Sequence, residues 1–153
     1  MSYLNFKSEY DRFPKTTIKN QKAFRGYDEI YNELNNKINN SSVVVFDYYP
    51  GVDEEEVYEF IKRFNFSLEI NMHDIFKDGK TMTEQMKYNL TDDRVFGKMY
   101  YGNLVDFMDE DKLQKAKDKV NEHHGSTIIY GVGASLVSHG DVYIYFDMAR
   151  WEI

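Results

Sequence analysis

The chain has 153 residues, 42% of them apolar and 16% aromatic, which is enough for one domain with a packed core. A net charge of −7 excludes the basic face that non-specific nucleic-acid binding requires, and the absence of cysteine excludes disulfides, thiol nucleophiles and Cys-held metals. No run is long and apolar enough for a signal peptide or a membrane span, so a cytoplasmic protein with neither a membrane nor a nucleic-acid partner is expected.

Residues 1–26 read as an extended arm, with Arg12, Lys15, Lys19, Lys22 and Arg25 set among Tyr10, Phe13, Pro14 and Phe24. Residues 27–153 read as a single α/β domain. A first helix is expected over Tyr27–Ile38, where Ile30, Leu34 and Ile38 recur at four-residue spacing. The uninterrupted apolar run in Ser42–Asp47 predicts a strand buried on both faces. A Gly-containing turn then leads into Asp53-Glu54-Glu55-Glu56, with Asp53 as N-cap and Glu56 as its capping-box partner, for a helix to about Phe64.

Phe66–Ile70 alternates as a second strand, and Thr81-Met82-Thr83-Glu84 predicts a capping box opening a short helix to about Leu90. The aromatic, Gly-broken stretch 91–108 reads either as a substrate-covering insertion or as a loop packed by its own side chains. A charged amphipathic helix follows over Asp109–His123, with Leu113, Ala116 and Val120 inward. Ser126–Tyr130 and Asp141–Phe146 complete four strands. Strands interleaved with helical patterns predict a three-layer, mostly parallel sheet with flanking helices.

The turn after the first strand is the most informative stretch. Strand, short turn and helix N-terminus together form the geometry that holds nucleotide phosphates, because free N–H groups and the helix dipole converge there. A working loop of that kind ends in Lys followed by Ser or Thr. Positions 47–54 carry neither, and four consecutive carboxylates, Asp53-Glu54-Glu55-Glu56, stand at the end of the loop. The expectation is a kinase-like architecture with a degenerate phosphate loop.

In an open parallel sheet, ligands bind beyond the carboxyl ends of the strands. The candidate residues there are Asp47, Tyr49 and Gly51 after the first strand, Gly131 and Gly133 (with Ser135) after the third, and Asp147 and Arg150 after the fourth. Arg94 joins them from the 91–108 stretch. One reading makes Arg150 or Arg94 the anion partner of a phosphorylated ligand. The other makes the glycines tight turns and the Asp and Arg residues helix caps or mutual partners. Tyr48-Tyr49 and Tyr100-Tyr101 read as ring platforms or as sheet-edge packing. No residue is singled out as catalytic. His73, His123, His124 and His139 have no metal-ligand spacing, and Asp92-Asp93 and Asp109-Glu110-Asp111 read as caps.

Five stretches carry a family resemblance: Tyr10–Pro14, Tyr49–Asp53, Leu90–Gly97, Tyr130–Ala134 and Tyr145–Ile153. In these the chain resembles the N-terminal domain of long-form class I mannose-6-phosphate isomerases of bacteria. The resemblance implies that mannose 6-phosphate is converted to fructose 6-phosphate in a downstream cupin of the same chain, which holds the metal, usually zinc. It implies no catalytic or metal residue and no cofactor within these 153 residues. An end at Arg150-Trp151-Glu152-Ile153, inside an apolar segment, fits the front portion of a longer protein.

More remotely, the chain is similar to uridine-kinase-like P-loop phosphotransferases in the order of its loop at 47–54, its Gly131 turn, and Asp147 with Arg150. Three readings follow. The first is an accessory, non-catalytic domain that packs on the cupin and retains a residual site for a sugar phosphate or nucleotide. The second is an active nucleoside or sugar phosphotransferase, and the third is a homo-oligomerisation module.

Overall fold

The computed structural model describes residues 11, 13–39, 42–93 and 95–148. The expectations placed on Arg12, Arg94, Arg150 and the segment 151–153 therefore lie outside the described residues, as does most of the segment before Phe13. Residues 13–25 carry no helix or strand and are exposed.

Among the described residues, four strands form one sheet: β1 (Val43–Tyr48), β2 (Leu68–Asn71), β3 (Thr127–Gly131) and β4 (Val142–Phe146). Their order is β2-β3-β1-β4. Every pairing is parallel, with Val45 opposite Ile129 on one side and Tyr143 on the other. Helices cover both faces, so the chain is an α/β fold with an all-parallel sheet and flanking helices. Among the described residues, no helix is long and apolar enough to cross a membrane.

Strand alternation decides what each face meets. Val44, Phe46 and Tyr48 of β1, with Ile128 of β3, point to one face. There they pack on Leu34 of α1 (Tyr27–Lys37) and on Val57, Phe60 and Ile61 of α2 (Glu54–Ile61). Val45, Ile129 and Ile70 point to the other face and meet Leu113, Ala116 and Val120 of α4 (Glu110–Glu122). All of these side chains are buried. α1 is joined to α2 by the ring contact of Tyr27 on Phe60 at 5.0 Å, and to the turn that follows α2 by Tyr31 on Phe64 at 4.8 Å and by Arg63 bonded to Asp28 at 2.8 Å.

Two caps differ from the sequence expectation. The Asp53 carboxylate accepts from the N–H groups of Glu55 and Glu56, as expected, but Glu56 does not close a capping box: its carboxylate accepts from the Tyr27 hydroxyl at 2.8 Å. The short helix α3 is Gly79–Gln85, capped by Asp78 rather than by Thr81. The Asp78 carboxylate reaches the N–H groups of both Lys80 and Thr81 and also accepts from the Thr81 hydroxyl. Thr81 thereby becomes a partner of the cap inside the helix.

The described residues of the stretch 91–103 are held by Asn89 and by polar groups of the stretch itself. The Asn89 side chain donates to the carbonyls of Lys98 and Met99, Thr91 donates to Phe96, and Asp93 accepts from the N–H groups of Val95 and Phe96. Its apolar side chains Val95, Phe96, Met99 and Tyr101 are exposed.

Candidate functional site

The connections leaving β1 and β3 diverge. That of β1 runs to α2 on one face, while that of β3 runs to a 3-10 turn, Ala134–Leu136, whose Ala134 packs on the other. The two strands are neighbours. Such a divergence opens a crevice at the carboxyl ends of the strands, where ligands of open α/β sheets bind. Its two sides are chemically different.

Asp47 fills the side under the 3-10 turn. It is 7% exposed. Its carboxylate accepts from the Gly133 N–H at 2.9 Å, the Ser135 N–H at 3.2 Å and the Ser135 hydroxyl at 2.5 Å, with the Tyr143 hydroxyl at 3.4 Å. The carboxylate therefore stitches β1 to the turn after β3. Gly131 makes that turn possible: its φ is +119°, and a Cβ there would stand 2.8 Å from the Cβ of Met72.

The remaining sequence candidates occupy turn positions. Tyr49 is half-buried, and its N–H donates to the Phe146 carbonyl at 2.8 Å, tying the turn to β4. Gly51, at φ +106°, stands third in the turn closed by the Val52 N–H on the Tyr49 carbonyl, with Pro50 second; of the turns that place proline there, the type II turn has positive φ at the third position. Asp147 is exposed and accepts from the adjacent Met148 N–H. Asp47, Tyr49 and Asp147 do share one neighbour: the Tyr145 phenol is raised first by burial, then by Asp147, Asp47 and Tyr49.

At the α2 side, the N–H groups that an anion would use are already taken. Asp53 Oδ1 lies 3.1 Å from the amides of both Glu55 and Glu56. Glu54 is bonded to His73 Nε2 at 2.5 Å. Beside this helix start lies an open cavity of about 360 Å³, lined by Tyr48, Glu54, Glu55, Tyr58, Asn71 and Tyr130. Alternation places Tyr48, Asn71 and Tyr130 at the ends of β1, β2 and β3 on the same face. The rings of Tyr58 and Tyr130 stack at 5.7 Å. Tyr48 is 3% exposed, and its hydroxyl is buried with no hydrogen-bond partner among the described residues.

The sequence reading singled out Tyr48 and the Glu run but not Tyr58, Asn71 or Tyr130 as parts of one site. A polar Asn71 ending the apolar second strand was the one local signal available.

The phenols of this face give a pH prediction. Burial, then Glu56, pushes Tyr27 up to about 12; burial, then Tyr58, Glu69 and Asp74, pushes Tyr130 up to about 12. Unfolded tyrosine ionises near 10, roughly two units lower. The stabilisation is therefore complete below about pH 10 and is lost as pH rises from about 10 through 12. An ultraviolet phenolate titration is expected to show Tyr27 and Tyr130 among the late-ionising tyrosines, beside Tyr48, Tyr143 and Tyr145, which are raised as well, with the urea midpoint falling over the same window. Substituting Phe at Tyr27 and Tyr130 is expected to shrink the late phase by two groups and to leave the ionisation of the buried Tyr48, which burial raises further.

The profile of the family described as a domain of unknown function (DUF8485) matches residues 26–153. The chain belongs to the DUF8485 family. No curated protein and no solved structure matches it. Within this DUF8485 member, the matched span contains all four strands, the Asp47 stitch and the tyrosine-lined cavity.

Proposed function

We propose that this domain is a P-loop kinase-like scaffold that has lost nucleotide handling and serves as the accessory N-terminal module of a mannose-6-phosphate isomerase. In this reading the isomerase chemistry resides in a metal-dependent cupin outside these residues, and the module packs on it through the aromatic arm of residues 1–26 and the apolar C-terminal end. One observation carries the loss of phosphate chemistry: Asp53 satisfies the amides of Glu55 and Glu56 at the strand–turn–helix junction. Bringing a triphosphate there requires displacing that carboxylate and placing the phosphates against three glutamates in the first turn of α2. Phosphoryl transfer rests almost wholly on positioning and charge neutralisation, and this junction supplies repulsion instead.

The parallel sheet with β1 central, and the divergence of β1 and β3, support the architectural half of the reading. The test is a thermal-shift series with ATP–Mg²⁺, mannose 6-phosphate and fructose 6-phosphate, paired with a phosphoryl-transfer assay on a panel of nucleosides and sugars. The expected result is no shift and no transfer with ATP–Mg²⁺. An ATP-dependent shift accompanied by turnover would replace this reading with an active phosphotransferase.

A further inference from the structure

The cavity at the ends of β1, β2 and β3 has an unusual balance of groups. Three tyrosine rings and an amide line it together with two carboxylates; among the described residues no lysine, arginine or histidine lines it, while His73 stands on Glu54 and Lys62 beside the Tyr58 ring. The Glu54 carboxylate is shared with His73, while Glu55 is exposed at the rim. An anion meets two like charges there, on a domain that is already net negative.

Tyr48 supplies a second, independent observation. A buried hydroxyl without a partner costs roughly 1–3 kcal/mol, and the residue that carries it belongs both to the apolar core and to the lining of the cavity. Its phenol lies close enough to Glu54 and Tyr130 for both to act on it. The faces of tyrosine rings attract positive charge, and one instance is already present: the Lys62 ammonium, paired with Glu59, lies 5.3 Å from the Tyr58 ring centroid.

We propose that this cavity binds a small organic cation, an amine or quaternary ammonium carrying a hydroxyl or N–H donor. The carboxylates of Glu54 and Glu55 hold the charge, the Tyr58 and Tyr130 rings wall it in, and the Tyr48 hydroxyl, covered in this structure, pairs with the polar end of the molecule once the lining side chains part. A cavity of about 360 Å³ accommodates a ligand of this size. The assignment goes beyond the accessory reading and does not depend on it, since neither nucleotide handling nor attachment to an isomerase alters these six side chains.

The test uses the full chain and titration calorimetry with choline, against 3,3-dimethylbutan-1-ol as its uncharged isostere, mannose as a neutral polyol and inorganic phosphate as an anion. Choline is expected to bind saturably and about tenfold or more tighter than the isostere, with mannose and phosphate weaker still. Glu55→Gln and Tyr58→Ala are each expected to weaken choline about fivefold. Both positions are exposed, so the fold should be retained. Tyr48→Phe is expected to weaken choline while leaving the melting temperature unchanged or higher, because it deletes an unpaired buried hydroxyl. Absence of choline binding, equal binding of the isostere, tighter binding of mannose or phosphate, or unchanged affinity in the Glu55 and Tyr58 variants would each overturn the proposal. The ATP–Mg²⁺ assay reads the accessory hypothesis separately, so failure of one is distinguishable from failure of the other.

Discussion

Asp47→Ala is expected to lower folding free energy by about 3 kcal/mol, seen as a lower urea midpoint at an unchanged slope. The substitution removes an acceptor that serves the amides of Gly133 and Ser135 and the Ser135 hydroxyl together. The Gly133 contact is buried and the two Ser135 contacts are partly buried, so solvent repairs them incompletely. Each stranded group costs about 1 kcal/mol or more. Asp47→Asn keeps the shape but turns an NH₂ donor toward N–H donors, and it is expected to recover less than half of the loss. Amide hydrogen exchange at Gly133 and Ser135 gives a local readout: both should accelerate in Asp47→Ala beyond the global change. If exchange there stays at the wild-type rate, the carboxylate is not what holds the turn. Tyr143→Phe, which removes only the contact at 3.4 Å, serves as the mild comparison.

One residue earlier, Phe46→Ala is expected to cost about 4 kcal/mol. Phe46 is fully buried, with its ring 5.2 Å from Phe146 and 6.3 Å from Phe60, so it joins β4 to β1 and both to α2. Truncation leaves a cavity between three elements that cannot all collapse toward it. A loss of this size is a large share of the roughly 5–15 kcal/mol available to a domain, and the melting temperature should fall by about 10 °C. Phe96→Ala is the control. The same chemical change at a ring 74% exposed should alter stability by less than about 0.5 kcal/mol. Comparable losses at both positions would mean that the burial pattern described for the sheet is wrong.

The contrast between Phe46 and Asp47 shows how far the sequence can be read. Four strands, three of the helices and the parallel character of the sheet follow from apolar runs, four-residue spacings and caps, all of which are local signals. Asp53 was recognisable as a cap because its amide partners stand two and three residues away. The α3 cap was misplaced because Asp78 and Thr81 both carry capping chemistry at compatible spacing. Only the backbone path decides which oxygen reaches the free amides. Asp47 appeared in the sequence as a strand-end carboxylate with no visible partner, since the Gly133 amide that it binds lies 86 residues further on.

The tyrosine-lined cavity was illegible for the same reason. Tyr48, Tyr58, Asn71 and Tyr130 come from three strands and a helix, and their common face depends on register and strand order. Apolar spacing, turn residues and acidic caps are enforced by forces acting over a few residues, and these determined the elements, the α/β class and the carboxylates at the start of α2. Tertiary structure decided the order β2-β3-β1-β4, the partner of Asp47 and the gathering of three rings and two carboxylates around an unpaired hydroxyl. Those outcomes depend on which distant strands share hydrogen bonds, and alternation along any one strand leaves that choice open.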